Sequence, residues 1–265
     1  MKEEIKKFWD ERAKHYASSP SATTEDIFLR ELEIHTIIQT IHGINLHGGH
    51  LLDIGCGDGY STLRIAEAIP TLSFLGLDYS ENMIKIAHER LEACPELKHR
   101  IRFIVGDVAE LKQVCNNMFF DLVVTDRCLI NLESTEAQFQ AISEIAAHIK
   151  PDSYYIAIEN FIEGHNNMNN ARHSVGLPEI PIRWHNLYFK EHEFVHNIER
   201  FFKVLEFKDF SSSYYFATRV IYAKMCQMRG EEPNYNHEIH QIAVKLPWTG
   251  QFSPIKLVVL KRKAV

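Results

Sequence analysis

The sequence predicts a doubly wound α/β domain on a mostly parallel, seven-stranded sheet. Three observations carry this. Helical and strand-like segments alternate across the first 160 residues. The apolar runs between the helices are continuous rather than alternating, as strands buried on both faces are. The first run closes on a glycine-rich turn, "LLDIGCGDGY" at 51–60, where such folds place a ligand.

Helical segments fall at 3–16, 25–41, 61–69, 81–91 and 135–149. In the fourth, Ile84, Ala87, His88 and Leu91 share one face, Ser80 is a natural N-cap and Glu81 sits in the first turn. The strands are "HLLDI", "SFLGLD", "IRFIVGD", "FDLVVTD" and "YYIAIEN". After Asn160 the pattern changes. "EGHNNMNNARHSVGLPEIPIRWHN" is rich in Asn, Gly, Pro and His and reads as a long loop or lid over the strand ends. "FFKVLEFKDF" resumes as a strand. "SSSYYFATRVIYAKMCQMRG" reads as a helix bounded by serines and Gly230, and "PIKLVVLKRK" closes the count at seven strands. The expected organisation is a single domain, 1–265. It has N-terminal helices and a lid at 1–45, a core at 46–160, and substrate-side insertions at 161–200 and 211–253.

A chain of 265 residues buries enough surface to need neither disulfide nor metal for a core. Its net charge of -6, with one short basic run at Lys261-Arg262-Lys263, disfavours a nucleic-acid partner. Cys56, Cys94, Cys115, Cys128 and Cys226 are odd in number and none has C-x-x-C spacing, against a disulfide framework and against zinc. A reducing cytoplasm is expected. The N-terminus "MKEEIKKFWDERAKHY" is charged throughout, unlike a signal peptide, and no run approaches roughly 18 apolar residues, so no membrane span is expected. The expected partner is a small molecule, and the expected state a monomer or homodimer with no metal.

Gly55, Gly57 and Gly59 suit a tight turn that lets a ligand approach the backbone. A dinucleotide site wants G-x-G-x-x-G with its pyrophosphate on the helix N-terminus. Here the spacing is G-x-G-x-G, and Asp53 precedes it. A carboxylate there repels a pyrophosphate and attracts an ammonium or sulfonium. The turn therefore favours a cationic, amino-acid-bearing nucleoside over a nicotinamide dinucleotide.

"LLDIGCGDGYST" resembles motif I of the class I S-adenosylmethionine-dependent methyltransferases, whose fold is Rossmann-like. "FLGLDYSENMIKIA" resembles that family's second strand. The resemblance implies that Asp78 accepts from both ribose hydroxyls, beside Tyr79, and that Met83 packs on the adenine. "FIVGDVAEL" resembles the next motif, which implies that Asp107 accepts from the adenine amino group and that Val108 offers its N–H. "FFDLVVTDRCLINL" resembles the fourth-strand motif bordering the methyl group, bringing in Thr125 and Asp126. "HIKPDSYYIAIEN" resembles the fifth-strand motif, with Pro-Asp where the family often has Pro-Gly. "FWDERAKHY" resembles a lid segment, in which Tyr16 reaches the methionine carboxylate. The resemblance covers roughly residues 5–160. It implies S-adenosyl-L-methionine as cofactor, S-adenosyl-L-homocysteine as product, and a cofactor set that includes Asp53, Gly55, Cys56, Gly57 and Gly59. Cys56 itself reads as a small filler of the turn.

Methyl transfer from a sulfonium needs mainly positioning and desolvation, plus a base for a hydroxyl or acid acceptor. His165, His173 and His185 fall in the lid segment. His185 sits in "RWHNLYF" beside Arg183 and Trp184, and is the expected base or anchor. Arg127 follows the fourth strand, and Arg172, Arg183 and Arg219 lie in or after the insertion. Guanidinium groups converging on a pocket favour an anionic acceptor bearing phosphate or carboxylate. Tyr214 and Tyr215 are expected to line its pocket. The stretch "SSSYYFATRVIYAKMC" resembles tails of bacterial methyltransferases found with surface-polysaccharide enzymes, which implies a sugar-linked acceptor. Two rival readings stand beside methyl transfer: an NAD-dependent oxidoreductase, and a non-catalytic S-adenosylmethionine-binding module.

Overall fold

The computed structural model describes residues 2–16 and 23–264. Its strands are β1 (Gly49–Ile54), β2 (Leu72–Asp78), β3 (Ile101–Val105), β4 (Phe120–Asp126), β5 (Ile149–Asn160), β6 (Phe202–Lys208) and β7 (Ile255–Arg262). They form one sheet in the order β3-β2-β1-β4-β5-β7-β6. The first five pair in parallel, and β7 runs antiparallel between β5 and β6. The strand order reverses between β1 and β4, so their carboxyl ends open a crevice.

The helices are α1 (Lys2–Tyr16), α2 (Ile27–Gly43), α3 (Tyr60–Ala68), α4 (Glu81–Glu92), the one-turn α5 (Leu111–Val114), α6 (Thr135–His148), α7 (Ile162–Ser174) and α8 (Glu191–Ile198). A composite helix follows: α9 (Ser212–Tyr215), a π-helix (Phe216–Tyr222) and α10 (Ala223–Arg229), then the short α11 (Ile239–Ala243). Local chemistry starts several of them. Ser80 Oγ accepts from Met83 N at 3.1 Å, Ser134 Oγ from Ala137 N at 3.1 Å and Asp26 Oδ1 from Leu29 N at 3.1 Å. Gly230 ends α10 in the left-handed conformation. Two apolar cores lie on the two sheet faces. Leu51, Leu122 and Ile156 point into one, and Leu52, Val123 and Tyr155 into the other. That two-sided burial is why the strand sequences are continuously apolar.

One expected loop is instead partly helical. Residues 162–174 form α7, with Gly164, His165, Met168 and Arg172 on its buried face. Tertiary packing overrides the weak helical preference of its asparagines. A Cβ at Gly164 would lie 1.8 Å from the Ser253 carbonyl oxygen, so the helix presses directly on the chain leading into β7. The π-helical segment also breaks the simple helix expected at 211–230. Such segments often mark functional sites.

Candidate active site

A cavity of about 350 Å³ opens at the carboxyl ends of β1, β2, β4 and β5. The glycine turn forms one wall. Gly55 and Gly57 have φ of +75° and +54°, values an L side chain rarely adopts. Gly57 N donates to Asp78 Oδ2 at 3.0 Å, and Ser80 N donates to Asp78 Oδ1 at 2.9 Å. The β2 carboxylate is thereby fixed, with lone pairs left over on the cavity side. Burial lifts its pKa to about 6, against the pull of those amides. Met83 and Val108, both buried, add apolar walls, and Tyr79 and Asp107 also face the cavity. Asp107 accepts from Ala109 N at 2.9 Å, and Lys2 Nζ stands 2.7 Å from its Oδ2. A carboxylate between glycine N–H groups and apolar walls suits a ribose diol with a base beside it.

The second half of the cavity lies under α1, α7 and the segment before α8. His185 is 5% exposed, and its Nδ1 has no partner among the described residues. Phe8 packs against the ring at 4.4 Å between centroids, and Trp9 and Trp184 meet it edge-on at 5.7 and 5.3 Å. Burial, then Arg183 and Arg12, lower its pKa to about 4, so the imidazole is neutral at pH 7. Asn160, at the end of β5 and 4% exposed, lies beside Tyr188, and its Oδ1 has no partner among the described residues.

The arginines are arranged differently from the expectation. Arg127, with φ of +52°, turns its guanidinium onto Glu33, which is fully buried in α2: Nε to Oε1 2.9 Å, Nη2 to Oε2 3.1 Å. Burial works against its proton, but Glu33 and Asp126 outweigh that and hold it above its ordinary value. Arg219 pairs with Asp26, the cap of α2, which also accepts from the Tyr214 hydroxyl at 2.5 Å. Arg172 is buried on α7. It donates to the backbone carbonyls of Pro178, at 2.9 Å, and Arg219 and does not line the cavity. Arg183 lines the mouth. The convergence of free guanidinium groups that favoured an anionic acceptor is therefore not what the fold builds. Carboxylates of α2 already hold Arg127 and Arg219.

Other expected site residues are also placed away from the cavity surface. Asp53 is buried behind the turn and accepts from Thr62 Oγ1 at 2.5 Å, and burial lifts it to about 7. Cys56 is buried. Gly59 faces Ala87 and Phe103, and Thr125 meets Tyr155 at 2.9 Å. Tyr16 donates to Glu25 at 3.1 Å, Tyr214 is buried against Asp26, and Trp184 is 60% exposed. Gly55, Gly57, Asp78, Tyr79, Met83, Asp107, Val108, Asp126, Arg127, Arg183, His185, Tyr215 and Arg219 do line the cavity. The sequence reading gave no site role to Glu33, Asp26, Asn160 or Trp9. For the first two a signal existed: Asp26, Arg30 and Glu33 share the helical spacing of one face.

Residues 51–152 match the family model for a methyltransferase domain. Over that stretch of its core the chain is similar to a methyltransferase domain. Among curated proteins it is 33% identical over 110 residues to a demethylmenaquinone methyltransferase of Leptospira interrogans, a match covering 42% of each chain. The aligned stretch thus spans about two fifths of that relative's length. Among solved structures, a methyltransferase from Clostridium acetobutylicum described as S-adenosylmethionine-dependent superposes with TM-score 0.60 at 13% identity. That match covers 97% of this chain and 100% of the other. The magnesium protoporphyrin IX methyltransferase of Synechocystis with bound SAH gives TM-score 0.58 at 15% identity, covering 88% and 84%. At such identities these structures establish the shared Rossmann-like fold. No helix among the described residues is long and apolar enough to cross a membrane.

Proposed function

We propose that this protein transfers a methyl group from S-adenosylmethionine to a small-molecule acceptor by in-line displacement. The observation that carries the reading is the Asp78 carboxylate. It is fixed by Gly57 N–H at the β1/β2 edge of the cavity, with Met83 and Val108 beside it. This supports a nucleoside whose diol meets Asp78 and whose base lies between the apolar walls. The bound donor supplies a methyl already activated on a sulfonium. The chain's own residues orient the acceptor and exclude water. Trp9 and Asn131 line the cavity, with Trp9 Nε1 donating to Asn131 Oδ1 at 3.4 Å. His185, neutral and facing the cavity, receives the proton of an acceptor hydroxyl.

Among the described residues, the acceptor's anionic character now rests on Arg183, at the mouth. A sugar-linked molecule with its charged part outward fits this arrangement. The deciding experiment is ligand-induced stabilisation followed by turnover. S-adenosylhomocysteine raises the melting temperature, increasingly with the logarithm of its concentration above the dissociation constant, and NADH does not. Stabilisation by NADH instead would support the oxidoreductase reading. Binding without any acceptor-dependent release of S-adenosylhomocysteine would support a non-catalytic module.

A further inference from the structure

The acceptor half of the cavity holds side-chain oxygens that no protein donor meets among the described residues. Asn160 Oδ1 and Asp126 Oδ1 are both buried, line the cavity and have no hydrogen-bond partner among the described residues. Asn160 itself is 4% exposed, so its amide oxygen is a buried acceptor that needs a partner. Two of the guanidinium groups lining the cavity are committed, and the third, Arg183, stands exposed at the mouth. Arg127 rests on Glu33 and Arg219 on Asp26. A phosphate or carboxylate there would have to compete with those carboxylates and sit against Asp126. Tyr188, Tyr215 and Trp9 supply flat apolar surface on the same walls.

Resting on the methyltransferase reading, we propose that the reacting end of the acceptor is a neutral ring carrying hydroxyl groups, one of them bound by Asn160 Oδ1. A second hydroxyl, facing His185 Nδ1, takes the methyl. Its proton passes to Nδ1, its oxygen forms the new bond to the methyl carbon, and the carbon–sulfur bond breaks with its electrons left on sulfur. The imidazolium returns the proton to water. Asn160 is the specificity residue: an acceptor lacking a hydroxyl at that place leaves a buried oxygen unpaired, which sites of this kind reject strongly.

Ring hydroxyls come from phenols or from sugars, and the test separates them. Protein saturated with S-adenosylhomocysteine is probed by saturation-transfer NMR with three sets of compounds: simple phenols, methyl pyranosides, and citrate with inorganic phosphate. Transfer to phenols or to pyranosides identifies the source and supports the proposal. In Asn160→Leu that transfer falls at least tenfold, whereas Asn160→Asp, which keeps the oxygen, retains it. Unchanged transfer in Asn160→Leu overturns the role of Asn160. Binding of citrate or phosphate that is lost in Arg127→Ala overturns the neutral acceptor. So does the absence of transfer to every phenol and pyranoside while S-adenosylhomocysteine binds. If S-adenosylhomocysteine fails to stabilise the wild type, the donor reading falls and this proposal with it.

Discussion

Glu33 and Arg127 meet across 94 residues of sequence as a two-point pair inside the protein. The Nη2 contact is an aligned hydrogen bond. The shorter Nε contact is an ion pair without hydrogen-bond alignment. Glu33 is fully buried, and burial pushes its carboxyl up to about 8 against the pull of Arg127, so replacing it strands a buried guanidinium. Glu33→Gln is expected to cost about 3–5 kcal/mol of stability by urea unfolding. Replacing both partners, Glu33→Leu with Arg127→Met, recovers most of that loss. A single variant as stable as wild type would show that the pair carries no weight.

Asp78 is the residue on which donor binding is expected to turn. Asp78→Asn removes charge-assisted acceptance from a diol, worth about 1.5–3 kcal/mol. S-adenosylhomocysteine affinity, measured by calorimetry, should fall by roughly ten- to a hundredfold. Unchanged affinity would move the ribose elsewhere.

The same carboxyl sets a pH dependence. Burial raises its pKa to about 6, so below that pH it holds a proton and cannot accept from both hydroxyls. S-adenosylhomocysteine affinity should therefore weaken as pH drops through 6 and stay level above it. A flat profile between pH 5 and 8 would contradict this.

Glu159 predicts an opposite trend for stability. It is fully buried, accepts from Leu129 N at 3.1 Å, and burial lifts its pKa to about 8. A raised folded pKa favours the protonated form, so stability is fullest below the unfolded value of 4.5 and is lost as pH rises from there to about 8. The melting temperature of the ligand-free protein should fall across that window, and Glu159→Gln should flatten the fall.

His185→Ala should lower turnover by about 10²–10⁴-fold if the acceptor is a hydroxyl, while S-adenosylhomocysteine still binds. Loss of donor binding in this variant would mean that the imidazole supports the fold rather than the chemistry.

The sheet was legible in the sequence because strands buried on both faces leave unbroken apolar runs. The glycine turn was legible because positive φ at Gly55 and Gly57 is a local demand. α7 was not. Its buried face is Gly164, His165, Met168 and Arg172, mostly polar or small, so no hydrophobic period marks it. The arginines misled for a different reason. Arg127 and Arg219 looked available because their partners, Glu33 and Asp26, lie 94 and 193 residues away. Charge pairing at that range is a property of the fold and leaves no mark on a local window.

Asp26, Arg30 and Glu33 project from one side of α2 to three separate places. Asp26 reaches Arg219 in the π-helical segment, Arg30 reaches Asp58 in the glycine turn at 2.6 Å, and Glu33 reaches Arg127 after β4. Each residue of a helix turns the next by roughly a hundred degrees. Inserting or deleting one residue between 30 and 33 would swing Glu33 away from its partner while the others stayed bound. The same change between 26 and 30 would separate the cap from both of its followers. The length of this helix, more than any single side chain in it, is what the surrounding architecture cannot let drift.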